Sequence, residues 1–144
     1  MRWIGWTFAV ALFVGSWSLD ARGEDAVTLG GVYAPAGAEF ASLGRFSTSS
    51  GFLGAQFDVV WGAKTLRYLP FFVVQFPLNL FEVVRLIPYA GAAPVVDFSG
   101  APADGFGVKL GQALYVYDFG VSFDLVMGFP SATPAFSSGL AFKF

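Results

Sequence analysis

Two carboxylates, Asp58 and Asp124, sit in the middle of apolar stretches, and Arg67, Arg85, Lys109 and Lys143 carry positive charge in similar settings. Paired carboxylates can do general acid and base work, and a serine beside a lysine can act as a nucleophile. Neither histidine nor cysteine occurs in the chain. That removes Ser-His-Asp hydrolysis, imidazole proton transfer, His- or thiolate-ligated metal sites, disulfides and cysteine nucleophiles. Gly105-Phe-Gly-Val-Lys-Leu-Gly111 departs from the G-x-G-x-x-G spacing. Its glycines share one face of a strand, so they read as room on that face rather than as a phosphate loop. Ser47-Thr-Ser-Ser50 reads as a turn and not as a nucleophile site. The expectation is a protein that is not an enzyme and holds no cofactor or metal.

The elements that position these groups follow from composition and period. The chain has 144 residues, 56% hydrophobic and 19% aromatic, and only 12% charged, about half the charge usual in a soluble globular domain. Beyond the N-terminus no apolar run reaches the roughly 18 uninterrupted residues that a spanning helix needs. The apolar residues are instead dispersed among 18 glycines and 18 phenylalanines, as expected of short strands separated by turns. Formal charge is −2 and no Lys/Arg cluster occurs, which argues against nucleic acid as a partner.

Arg2 precedes the apolar stretch Trp3 to Leu19, and Asp20-Ala-Arg-Gly-Glu24 follows it. A basic start, an apolar middle and small residues at a cleavage site describe a secretory signal peptide. Ala21 and Gly23 place cleavage after Gly23, giving a signal peptide over 1–23 and a barrel domain over 24–144. No cysteine follows the stretch, so a lipoprotein anchor is excluded.

Turn chemistry divides the remainder into eight segments: 26–35, 38–47, 52–61, 66–77, 80–90, 106–117, 118–129 and 135–144. In the seventh, Phe119, Val121, Phe123, Leu125, Met127 and Phe129 are apolar, while Gly120, Ser122, Asp124 and Gly128 are small or polar, Val126 being the exception. A period of two is a strand with faces of opposite character. Leu53, Ala55, Phe57, Val59 and Trp61 oppose Gly54, Gln56, Asp58 and Val60 in the same way, and Phe106, Val108, Leu110, Leu114 and Val116 oppose Gly107, Lys109, Gly111 and Ala113, with Gln112 as the one polar residue on the outer face. The fourth segment is apolar on both faces; Pro70 and Pro77 suit a helix interior poorly, so it also reads as a strand. The longest connection is Gly91 to Gly105. Trp61, Phe106, Phe129 and Phe136 fall at one set of strand ends, and Phe119, Phe142 and Phe144 at the other, as two aromatic girdles would.

These residues resemble the small bacterial outer-membrane β-barrel proteins. The ending Gly139-Leu-Ala-Phe-Lys-Phe144 is similar to the C-terminal insertion signal of that family, carried by Gly139, Leu140, Phe142 and Phe144, and Leu86-Ile-Pro-Tyr-Ala-Gly91 is similar to a strand segment seen in such barrels. The resemblance implies an all-β fold: an eight-stranded antiparallel up-and-down transmembrane barrel. It also implies export to the cell outer membrane, recognition of the last strand by the barrel-assembly machinery, and outer-membrane lipid as surroundings for a monomer. Short outer links depart from the family pattern and argue against adhesion through long loops.

Parity then sends Asp58, Arg67, Lys109, Asp124 and Lys143 into the lumen. Arg85 joins them, with Phe81, Val83, Ile87 and Tyr89 lining the lumen and Glu82 near an interface. Charges in so narrow an interior must pair, and eight strands leave space for side chains or one small ligand. The expectation is one ionic network in a side-chain-filled lumen, in a protein with a structural or surface-interaction role. The alternative is a soluble lipocalin-like barrel that turns apolar residues inward around a small apolar ligand. A third arrangement, helical spans over 3–19 and 69–87, is interrupted by Gln75, Pro77, Asn79, Glu82 and Arg85.

Overall fold

A computed structural model describes residues 24–98 and 105–144; the expected signal peptide and its cleavage site at Gly23 lie outside the described residues. Eight long strands carry the fold: β1 (Glu24–Ala34), β2 (Glu39–Ser50), β3 (Leu53–Trp61), β4 (Leu66–Gln75), β5 (Val84–Pro94), β6 (Phe106–Val116), β7 (Phe119–Phe129) and β8 (Thr133–Lys143). Each pairs antiparallel with its sequence neighbours, and β8 pairs with β1. The sheet therefore closes into an up-and-down barrel and leaves no free edge along its long strands.

Closure between first and last strands depends on Gly30 and Gly139, which stand opposite each other. A Cβ on Gly30 would lie 1.9 Å from the Ser138 carbonyl oxygen, and one on Gly139 would lie 2.7 Å from Thr28 Cγ2. Only a residue without a side chain lets the two backbones approach so closely.

The turns at Gly51–Phe52, Leu80–Val83 and Tyr117–Asp118 share one end with both strand termini Glu24 and Lys143, here the terminal end. The connections over 35–38, 62–65 and 130–132, with residues 95–98 and 105, make the opposite, loop end. Several segment boundaries differ from the sequence reading. Ser47 to Ser50 is not a turn: β2 runs through Ser50 because Thr48 is buried opposite Ala55, and the chain reverses at Gly51, with φ at +63°. The fifth strand begins at Val84, not at 80. Leu78 and Asn79 pair with Leu86 and Arg85, so the reversal falls over Leu80–Val83. Phe81 and Val83 consequently stand exposed instead of lining the lumen. Gly91 to Pro94, assigned above to a connection, continues β5 against β6, and residues 69–75 and 84–87 are strand, which rules out a helical span over 69–87.

Side chains alternate as the two-residue period demands. Outside, Leu29, Val59, Leu110, Leu114 and Leu140 are exposed between two bands of rings. Tyr33 stacks on Phe40 at 4.7 Å and Phe106 on Phe129 at 5.2 Å toward the loop end; Phe119 meets Phe142 at 5.3 Å and Phe52 meets Phe76 at 6.0 Å toward the terminal end. Inside, Ile87, Tyr89, Ala113, Tyr115 and Ala141 form one apolar cluster, and Leu69, Phe71, Val73 and Ala93 form another, packed by Val60, Val95 and Val126.

Candidate functional site

Charged side chains occupy the middle of the lumen. Arg45 projects from β2, Asp58 from β3, Lys109 from β6 and Asp124 from β7, with exposures of 3%, 3%, 0% and 5%. Each sits on the inward parity of its strand, between outward residues such as Gly44 and Phe46 or Phe123 and Leu125. The Arg45 guanidinium donates through Nε to Asp58 Oδ1 at 2.7 Å and through Nη2 to Asp58 Oδ2 at 2.9 Å. Nη2 also reaches Asp124 Oδ2 at 2.7 Å, and Nη1 reaches the Tyr89 hydroxyl at 3.3 Å. Lys109 Nζ donates to Asp58 Oδ2 at 2.6 Å and to Gln56 Oε1 at 2.9 Å, and it lies 3.9 Å from the centre of the Phe71 ring. Asp124 further accepts from Ser137 Oγ at 2.9 Å and from the Tyr89 hydroxyl.

Two cations and two carboxylates thus neutralise one another away from water, with the remaining acceptor positions filled by neutral donors. This is the condition under which buried charge is tolerable. Gly111 makes room for the arrangement, since a Cβ there would lie 2.2 Å from Asp124 Oδ1 and 2.7 Å from the Tyr89 ring. Asp58 and Asp124 both bond the same arginine, which holds them as paired acceptors.

The six lumen charges predicted from sequence do not form one network. Asp58, Lys109 and Asp124 meet in the central tier. Arg67 lies toward the loop end and pairs with Asp97 at 2.7 Å. Arg85 and Lys143 lie at the terminal end, where both bond Glu24, Lys143 at 3.1 Å; Lys143 also stands 4.2 Å from the Tyr115 ring centre. Charges on different strands share a network only when they share a height along the barrel axis, which parity does not encode. Arg45, the centre of the middle tier, was missed; the alternation Leu43, Arg45 against Gly44, Phe46 was the available signal. Asp97 and Glu24 were missed as partners. Of the ending assigned to an insertion signal, Leu140, Phe142 and Phe144 are exposed on the outer surface and Gly139 sits at the closure with β1.

Toward the loop end the lumen is not filled. Above Asp58 opens a cavity of about 460 Å³, lined by Leu43, Val60, Leu69, Phe71, Val95 and Val126, with Glu39 and Arg67 also on its wall.

No family model and no curated protein matches the sequence. A solved structure described under "De novo design of transmembrane beta-barrels" matches with a TM-score of 0.65 at 12% identity, over 85% of this chain and 96% of that one. The likeness is one of fold: a closed eight-stranded antiparallel barrel.

Proposed function

We propose that this chain is a bacterial outer-membrane barrel, delivered by a cleaved signal peptide and serving a structural or surface-interaction role as a monomer. The observation that carries the reading is the inverted distribution of polarity. Arg45, Asp58, Lys109 and Asp124 are enclosed in the lumen while Leu29, Leu110, Leu140 and the flanking rings are exposed. Water would penalise that outer surface, whereas hydrocarbon bounded by two interfaces suits it. The resemblance in fold to a designed transmembrane barrel supports the membrane setting. The same inversion disfavours a soluble lipocalin-like barrel. A structural role fits better than catalysis because both central carboxylates are committed to Arg45. Last-strand recognition by assembly machinery rests on the resemblance of residues 139–144.

The test is fractionation followed by cold SDS electrophoresis with and without boiling. A folded membrane barrel migrates differently in the two samples and sediments with the outer membrane. Recovery in a soluble fraction, or migration indifferent to boiling, would overturn the reading.

A further inference from the structure

The barrel wall has one seam whose ladder is broken. All other adjacent long strands pair continuously over eight to eleven positions. Between β4 and β5 the ladder covers Phe72 to Gln75 against Ala92 to Tyr89, and resumes only at Tyr68 and Arg67 against Val96 and Asp97. The two stretches share one register, which sets Pro70 opposite Pro94.

Which way those prolines turn their backbone follows from their neighbours. Phe76 N–H donates to the Pro88 carbonyl at 3.0 Å, and Phe98 N–H to the Leu66 carbonyl at 2.9 Å. Even-numbered residues of both segments therefore face this seam, and a hydrogen-bonded antiparallel pair would exchange two bonds at 70 and 94. Proline has no N–H, so neither bond can form. Pro88 likewise cannot return the bond it accepts. The interruption spans three residues, about 10 Å of strand, and is clamped on one side by the Arg67–Asp97 ion pair at 2.7 Å.

What lies on either side of the break gives it a use. Of the four inward residues of the broken stretch, Leu69, Phe71, Ala93 and Val95, all but Ala93 line the 460 Å³ cavity. On the outside, Leu66, Phe72 and Pro94 are exposed. An apolar exterior and an apolar cavity thus meet across the stretch of wall that lacks main-chain bonds.

We propose that this seam is a lateral window through which one acyl chain passes from the surrounding bilayer into the cavity, which is its binding site. The proposal rests on the membrane reading above. The cavity is within the size range of small-ligand sites and its wall is mainly aliphatic, with Phe71 as its aromatic residue and Glu39, Asp58, Arg67, Ser131, Thr133 and Ser137 as its polar ones. Asp58 at its floor is engaged by Arg45 and Lys109, so the floor offers no free charge to a polar solute. Arg67, at the mouth beside the window, stands where the polar end of an acyl lipid would remain.

The test uses the full chain in phosphatidylcholine vesicles containing a phospholipid with a diazirine on its acyl chain, with crosslinks mapped by mass spectrometry. The expected result is labelling of Leu69, Phe71 and Val126 inside the barrel, in addition to outward residues such as Leu110. Joint Pro70→Val and Pro94→Val replacement restores two donors while leaving the inward side chains alone, and lowers the rate of internal labelling by about tenfold or more. Val126→Trp, or Ala135→Phe at the position paired with it on β8, fills the cavity and abolishes internal labelling. Each protein is first checked for heat-modifiable migration, whose loss in the wild type would refute the membrane reading instead. Labelling confined to outward residues would overturn the binding site. Internal labelling that the two valines leave unchanged, or that arises only from free diazirine palmitate added in water, would overturn the window.

Discussion

Arg45 bonds both central carboxylates, and its removal would set Asp58 and Asp124 against Lys109 alone within that tier. Arg45→Met is therefore expected to destabilise the barrel by about 3–5 kcal/mol, the usual result of stranding one partner of a buried pair. Urea unfolding in vesicles, followed by the heat-modifiable band, measures it. Adding Asp124→Asn restores charge balance and should recover part of the loss; equal losses in the single and double variants would refute a charge-based account. Gly111→Ala should cost about 1–3 kcal/mol by overpacking, because its Cβ would collide with Asp124 and Tyr89, whereas Gly107→Ala should be nearly neutral, its nearest neighbour being Val126 at 3.5 Å. At this scale the sequence was informative about direction and poor about company. Parity turned Asp58, Lys109 and Asp124 inward, but Glu24, Arg85 and Lys143 cluster at the far end because height along the barrel depends on register between strands.

Strands were legible where polarity contrast was strong. In β7 each outward ring or aliphatic stands beside glycine, serine or aspartate, so both its existence and its faces could be read. The end of β2 and the far half of β5 were read as turn and connection because Ser47 to Ser50 and Gly91 to Ala93 are small residues with little contrast. Their strand state comes from neighbours: Thr48 pairs with Ala55, and Ala93 with Gly107. The last strand supports a prediction of its own. Leu140, Phe142 and Phe144 present an exposed apolar row beside the closure with β1, and under the function proposed above that row would be what the assembly machinery binds. Deleting Phe144, or replacing it by Phe144→Asp, should lower the yield of heat-modifiable protein in the membrane fraction while export continues. Phe144→Asp keeps the Phe144 main-chain bond to Asp25 and the Lys143 bond to Glu24, so a yield of that variant equal to wild type would show that the final ring is not part of an insertion signal.

Closure of the whole barrel belongs to no local pattern; it appears only when β8 meets β1, with Gly139 opposite Gly30. The resulting lumen is stratified, with an apolar cluster on either side of a neutral ionic tier and ion pairs at both ends, Arg67–Asp97 at one and Arg85 and Lys143 with Glu24 at the other. An ion crossing it would have to pass Arg45, Lys109, Asp58, Asp124 and Tyr89, whose polar groups bond one another. Exchanging a hydration shell for groups already satisfied is unfavourable, and an eight-stranded interior leaves little space beside them. The cavity near the loop end does not alter this, because it stops at the tier. Planar-bilayer recordings of the wild-type protein should therefore show no sustained openings. Lys109→Ala together with Asp58→Ala removes one cation and one anion, keeps the tier neutral and takes away two of the side chains that fill the section. If the tier is the plug, this variant should show measurable conductance where the wild type shows none. Sustained large openings in the wild type, or a double variant that stays folded and remains silent, would show that the barrier lies elsewhere along the lumen.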